Sequence, residues 1–354
     1  MRPRWATAED DAALVELVRR CPMHGEIALY FDRAPSFFAL SRLQGEGAHV
    51  CVIDHPAGRG LAASAAVARM PGVFVNGEPR TVFYACDLRI APDMRGGRML
   101  KRLYDFLTDW GLAQGFDLGM TTVMQGNAAM AGVIAGKGGV LPYHHLATMR
   151  NYTLQTLLPV RPPVGLTIRR ATMADVPAMV ALWNRVQAER QFAPHGSEAS
   201  MAARLEGYWL AFRGDRLVGL LHGWDQRSFK RMVVTGFSPG MARMRRWYNP
   251  LARVLRAAPI PGPGSALPYV YATRPCAETP EVLHALYRHV LGEARRDGHL
   301  FVSTMLDRED PQTPALGGLL KRHVDIELYA MDPQRRWSRE DLRGRPAYFD
   351  PALV

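Results

Sequence analysis

The stretch Asp87–Tyr104 reads DLRIAPDMRGGRMLKRLY. The residues leading into it, VFYACDLRI, are rich in β-forming types. Pro92 cannot donate a ladder hydrogen bond and ends the strand. Leu100, Leu103, Tyr104 and Leu107 then recur at helical spacing. Between strand and helix stand Gly96 and Gly97, flanked by Arg95 and Arg98. The first N–H groups of a helix lack internal partners, and the helix dipole makes that end partly positive. Glycines leave it open, and two arginines add full charges. Such a junction is a cradle for an anion, phosphate above all.

The chain has 354 residues, 48% of them hydrophobic, which is enough for two domains. No apolar run approaches the ~20 residues that cross a bilayer. The first residues, MRPRWATAEDD, have no apolar core of a signal peptide, so a cytoplasmic protein is expected. Cys21, Cys51, Cys86 and Cys276 are scattered without a CxxC pair, which reads as reduced thiols and no metal site. The formal charge is +11, and only Lys101, Lys137, Lys230 and Lys321 among the basic residues are lysines. A basic chain attracts anions. One local concentration of charge lies at 241–256, MARMRRWYNPLARVLR.

The chain repeats itself. Ala6, Thr7, Asp10, Ala13, Val15 and Leu17 are matched at constant spacing by Ala171, Thr172, Asp175, Ala178, Val180 and Leu182. In each copy a short strand runs into a Thr that can cap a helix. The expected organisation is a domain over 1–156, a proline-rich linker over 157–165 and a second domain over 166–354. In the first domain the pattern predicts strands near 2–6, 48–54, 60–70, 80–90 and 116–123. Helices are predicted near 8–20, 35–43, 96–113 and 127–136, with extended chain near 140–155. The fold class is therefore α/β with mixed sheets. A segment near 227–266 has no counterpart in the first copy and reads as an insertion, either a lid or a partner surface.

The junction resembles the acetyl-coenzyme A loop of the GNAT superfamily, the GCN5-related N-acetyltransferases. Leu88, Ile90 and Pro92 match its strand, and Arg95 and Gly96 open its loop. Arg98 stands where the family's second glycine is usual, and Leu100 where Gly or Ala is usual. FDLGMTTVMQGN, which ends on Asn127 where a helix opens, matches the next strand and helix start. The resemblance implies two tandem GNAT-like domains, each a twisted mixed sheet flanked by helices. It implies acetyl-CoA held by Leu88, Ile90, Arg95, Gly96, Gly97, Arg98, Met99 and Asn127, with no metal. The second copy lacks the loop. Thr279 and Pro280 start its helix, and Glu278 and Glu281 put negative charge where a phosphate would sit.

The implied reaction is acetyl transfer to a primary amine by direct attack. Such an amine has a pKa near ~10.4, so a base is useful. Asp87 on the cofactor strand is the candidate base. The family's acid, a Tyr seven residues after the Asn, is replaced by Ile134, so Tyr143, or else Tyr84, is the candidate acid. His24 and Glu26, between the first helices, and His144, beside His145, are candidate contacts to a small-molecule or peptide amine. Membrane and nucleic acid are not expected as partners. Two alternatives keep the fold: an aminoacyl-tRNA-dependent transferase, suited to the basic charge, and a non-catalytic CoA-binding protein. No GxSxG, HExxH or GxxxxGK[ST] signature competes.

Overall fold

The two copies of the Thr-x-x-Asp repeat fold into the same local structure. Arg4 forks onto Asp10 at 2.8 and 2.7 Å, and Arg169 forks onto Asp175 at the same distances. The main-chain N–H groups of Thr7 and Thr172 each donate to those carboxylates at 2.8 Å. The Arg4 hydrogen bonds hold Asp10 down to about 2. The computed structural model describes all residues except Gly97, 136–142, 161–164, Arg339 and Arg343, with the backbone alone at Ala128 and Ala129. Gly97 of the predicted loop and part of the predicted linker thus lie outside the described residues.

The first half contributes β1 (Arg4–Trp5), α1 (Asp11–Arg19), β2 (Ile27–Asp32), α2 (Phe38–Ser41), β3 (Ala48–Asp54) and β4 (Leu61–Val75). It continues with β5 (Glu78–Ile90), α3 (Met99–Ala113), β6 (Gly119–Met124), α4 (Ala128–Ile134) and β7 (Tyr143–Gln155). The second half begins with β8 (Thr167–Arg170), α5 (Val176–Gln187), α6 (Glu198–Ala202), β9 (Tyr208–Arg213), β10 (Arg216–Trp224) and β11 (Arg231–Phe237). It ends with α7 (Pro239–Val254), β12 (Tyr269–Ala277), α8 (Pro280–Arg296), β13 (Phe301–Asp307) and β14 (Lys321–Met331).

The mixed sheet flanked by helices agrees with the expected fold class, but the two halves share one sheet. Its strand order is β1-β3-β4-β5-β6-β14-β7-β13-β12-β10-β9-β8. Counted outward from the central pair β14 and β7, both sides run through the same succession of elements. Each half's last strand crosses into the other. β14 pairs with β6 from Ile326↔Met124 to Met331↔Gly119, and β7 pairs with β13 from Phe301↔Gln155 to Asp307↔Met149. β14 and β7 pair with each other over their length.

The packing follows this exchange. Val82, Tyr84, Met120 and Met149 of the first half share one core with Met305, Leu328, Ala330 and Phe349 of the second. Each Val, Leu, Met or Phe among them contributes roughly 1.5–3 kcal/mol over its exposed state. α1 packs on one face of β3 and β4, against Val50, Val52, Leu61 and Ala66. α3 packs on the other, against Cys51, Ile53, Ala63 and Ala65. β2 is a strand the sequence reading missed. It pairs antiparallel with β11 of the insertion, from Arg231↔Asp32 to Phe237↔Ile27, as a separate ribbon tying the halves together.

Candidate functional site

A notch opens in the sheet between β5 and β6. The two strands run parallel and pair only at Phe83↔Gly119 and Tyr84↔Met120, with Thr121 Oγ1 reaching Ala85 O at 2.9 Å. Beyond that point they diverge. The cause is one extra residue in β5: the β4–β5 register slips between Ser64 and Ala66, and Asp87 opposite the slip takes φ 51°. Asp is among the few side chains that tolerate this left-handed conformation.

The bulge changes which way the main chain points. Ala91 N–H bonds Ala62 O on β4 at 2.8 Å. Strand alternation then turns Arg89 toward β4 as well, and turns Leu88 and Ile90 toward the open notch. Leu88 O meets only the Arg89 side chain at 2.9 Å, and Ile90 O meets the Cys21 thiol at 3.4 Å. The edge then runs through a single turn at Pro92–Met94 to the start of α3. α3 has no side-chain cap; its first turn holds Met99, Leu100 and Lys101, and Arg102 N–H bonds Arg98 O at 3.1 Å. Gly96 has φ 84°, and a Cβ there would meet nothing within 4 Å. Arg95 and Arg98 are exposed, and neither has a carboxylate partner among the described residues. The next acid, Asp93, is already engaged by Arg20, His55 and Arg59 at 3.1, 3.0 and 3.1 Å.

The Asp87 side chain is only 6% exposed. Its two carboxylate oxygens lie 3.3 and 3.2 Å from Arg33 Nη1, and Arg33 also donates to Phe37 O at 2.6 Å. Burial pushes the Asp87 carboxyl up, but the charges of Arg33 and Arg89 outweigh it and the net displacement is downward. The carboxylate is therefore charged at neutral pH and already taken.

Two solved structures share this architecture. A GCN5-related N-acetyltransferase from Sphaerobacter thermophilus superposes with a TM-score of 0.54 at 13% identity, over 84% of this chain and 82% of that one. A conserved protein of unknown function and probable N-acyltransferase from Enterococcus faecalis V583 superposes with a TM-score of 0.51 at 11% identity, over 94% and 73%. The chain has the GCN5-related N-acetyltransferase (GNAT) fold. No protein-family model and no curated protein matches its sequence.

The second GNAT-like half has the same bulge and no open notch. β12 and β13 pair only from Tyr269↔Phe301 to Tyr271↔Ser303, and Arg274 takes φ 51° beside a slip between Leu220 and His222. Counted from the bulges, Pro275 and Ala277 correspond to Leu88 and Ile90. Pro275 has no N–H, and its carbonyl accepts from Gln187 Nε2 at 2.9 Å. Ala277 O accepts from Gln312 Nε2 at 3.0 Å. A buried Arg190–Asp310 fork at 3.0 Å closes the space. Thr279 caps the start of α8, and Glu278 is paired with Arg185 and Arg216 at 2.7 and 2.9 Å.

The remaining sequence-predicted residues are dispersed. Tyr143 stands in the row Phe83–Gly119–Met331–Tyr143, four residues before Asp87 and three strands away, roughly 14 Å across the sheet. It packs near Tyr104 of α3, and burial raises its pKa, which keeps the phenol protonated. Tyr84 is buried against Phe349. His144 is half-buried in the row of Tyr84. Asn127 is exposed at the start of α4 and its side chain makes no hydrogen bond among the described residues. His24 and Glu26 are exposed; Glu26 reaches Arg322 of β14 at 3.0 Å, and its carbonyl accepts from Ser238 N–H at 2.9 Å.

Sequence reasoning did not foresee the contacts that form only through the strand exchange. His145 Nε2 lies 2.6 Å from Glu327 Oε2, which Thr148 also bonds at 2.9 Å, while Gln125 bonds Oε1 at 3.1 Å. Arg33 and Lys230 carried no motif. Lys230 is 1% exposed, between the rings of Phe31 and Tyr271, and donates to Ala352 O at 3.2 Å and to Val354 O. Burial, with the Arg33 charge behind it, lowers its pKa to about 7.

This lysine sets a pH dependence. The unfolded chain keeps its proton up to about 10.4, whereas the folded protein gives it up near 7. Between those values the unfolded state binds more protons, so stability rises with pH. Urea midpoints measured across that window rise for the native protein, and the Lys230 share of the rise disappears in Lys230→Met.

Proposed function

We propose that this chain is an acyl-CoA-dependent N-acyltransferase, with acetyl-CoA as donor and a primary amine on a small molecule or peptide as acceptor. One observation carries the reading: a notch whose strand edge, Leu88 and Ile90, is not paired with β6 and leads directly to an uncapped helix N-terminus beside Arg95 and Arg98. An extended amide-bearing arm ending in a diphosphate is complementary to that sequence of features. Leu88 and Ile90 hydrogen-bond the arm as an added strand would, and the α3 N-terminus with its two arginines takes the phosphates. The donor supplies a thioester carbonyl. A main-chain N–H freed at the bulge stands ready for the oxyanion that forms there. Holding thioester and amine together supplies much of the rate.

Asp87 is assigned a positioning role in place of the base expected from sequence. Its carboxylate is committed to Arg33, and the pair fixes the bulge that opens the notch. In the second half the matching edge lacks an N–H at Pro275 and its carbonyls are bonded to the buried Gln187 and Gln312, which supports a single donor site in the first half.

The test is acetyl-CoA binding by calorimetry. The native protein binds. Arg95→Glu/Arg98→Glu and Gly96→Glu lose at least ~10-fold in affinity, because each places negative charge at the phosphate end. No binding by the folded native protein at low salt would overturn the reading.

A further inference from the structure

The insertion's helix α7 presents a face that the proposed reaction does not use. Met241 and Ala252 are buried, Met244 and Tyr248 pack partly against the same core, and Arg245 and Asn249 anchor the helix to Ile260 O at 2.9 and 3.0 Å. The opposite side carries Trp247, Leu251 and Val254, exposed to 79%, 48% and 80%. At about 100° per residue these three fall within an arc of about 60°. Arg243 is exposed about 20° outside that arc, Arg246 and Arg253 are exposed farther round the helix on the same side, about 80° and 100° from its edge, and Arg256 is exposed just past the helix end. None of the four has a carboxylate partner among the described residues. From Gln226 to Ala277 the chain contains no Asp or Glu at all.

A rigid helix with aromatic and aliphatic side chains on its outer face, flanked by unneutralised arginines, matches the requirements of a bilayer interface. The apolar residues enter the headgroup boundary and the guanidinium groups meet lipid phosphates. We propose that α7 docks this protein onto an anionic membrane surface. No helix among the described residues is long and apolar enough to cross a membrane, so the contact is peripheral. An RNA partner would use the arginines and would leave Leu251 and Val254 without a role. α7 starts where Ser238 N–H bonds Glu26 O at 2.9 Å, so the helix is tied at its first turn to the loop of His24 and Glu26.

The test is co-sedimentation of the full chain with vesicles of phosphatidylcholine alone and with roughly one third phosphatidylglycerol. The native protein binds the anionic vesicles and not the neutral ones, and added salt weakens binding. Arg243→Glu/Arg246→Glu lowers the partition coefficient at least ~10-fold, and Trp247→Glu lowers it comparably. Both variants change exposed side chains, and unchanged thermal melts verify the fold. The proposal is overturned by absence of vesicle binding at low salt or by equal binding of the variants. It is also overturned if the same variants abolish self-association or RNA binding while vesicle binding is absent.

Discussion

Expressed alone, residues 1–156 fail to form a cooperatively folded unit, although the repeat marks them as a complete copy. In the full chain β14 fills the gap between β6 and β7, pairing from Ile326↔Met124 to Met331↔Gly119 on one side and along β7 on the other. Without it, both strands present unpaired edges, which invite aggregation. The shared core loses Met305, Leu328, Ala330 and Phe349 against Tyr84, Met120 and Met149. At roughly 1.5–3 kcal/mol for each of the Met, Leu and Phe side chains, the loss is comparable to the ~5–15 kcal/mol that keeps a domain folded. Circular dichroism and urea unfolding of the fragment check this. A sharp transition with native-like stability would show that the first half closes its own sheet. Co-expression of 1–156 with 157–354 restores the fold, because each fragment holds the strand the other needs.

Asp87→Ala is the second large effect, and it appears in stability. Removing the carboxylate leaves Arg33 as an uncompensated buried charge, which costs about 3–5 kcal/mol. The left-handed backbone at φ 51° adds to the cost for alanine. Replacing both partners, Asp87→Ala with Arg33→Met, recovers much of the loss, since the buried charge goes with its partner. The pair also has an acid limb. Asp87 is displaced below its ordinary range, so its contribution is present above the unfolded carboxylate pKa and fades as pH falls through the folded value. Urea midpoints of the three proteins measure the coupling. A variant that keeps native stability but loses turnover would restore Asp87 as the catalytic base.

The legible part of this protein was local. Thr7 and Thr172 lead their helices as the repeat implied, each with an arginine fork onto the following aspartate. Pro92 follows the end of β5, and the glycine junction precedes α3, because φ limits and unpaired helix N–H groups are properties of a few adjacent residues. β2 escaped notice because IALYFD is a short run whose partner, β11, lies some two hundred residues away. The His145–Glu327 contact has no sequence signal, since a histidine and a glutamate 182 residues apart share no pattern.

The repeat, the mixed α/β order and the positive charge of the loop after β5 were already written in the chain, because they rest on short-range periodicity, capping and charge. Tertiary structure alone decided that the halves exchange their last strands and that one notch is open while the other is filled by Gln187, Gln312 and the Arg190–Asp310 pair. It also decided that Asp87 spends its charge on Arg33. Strand pairing and burial join residues far apart in the chain, and the energy of a carboxylate or a free strand edge depends on what has folded against it.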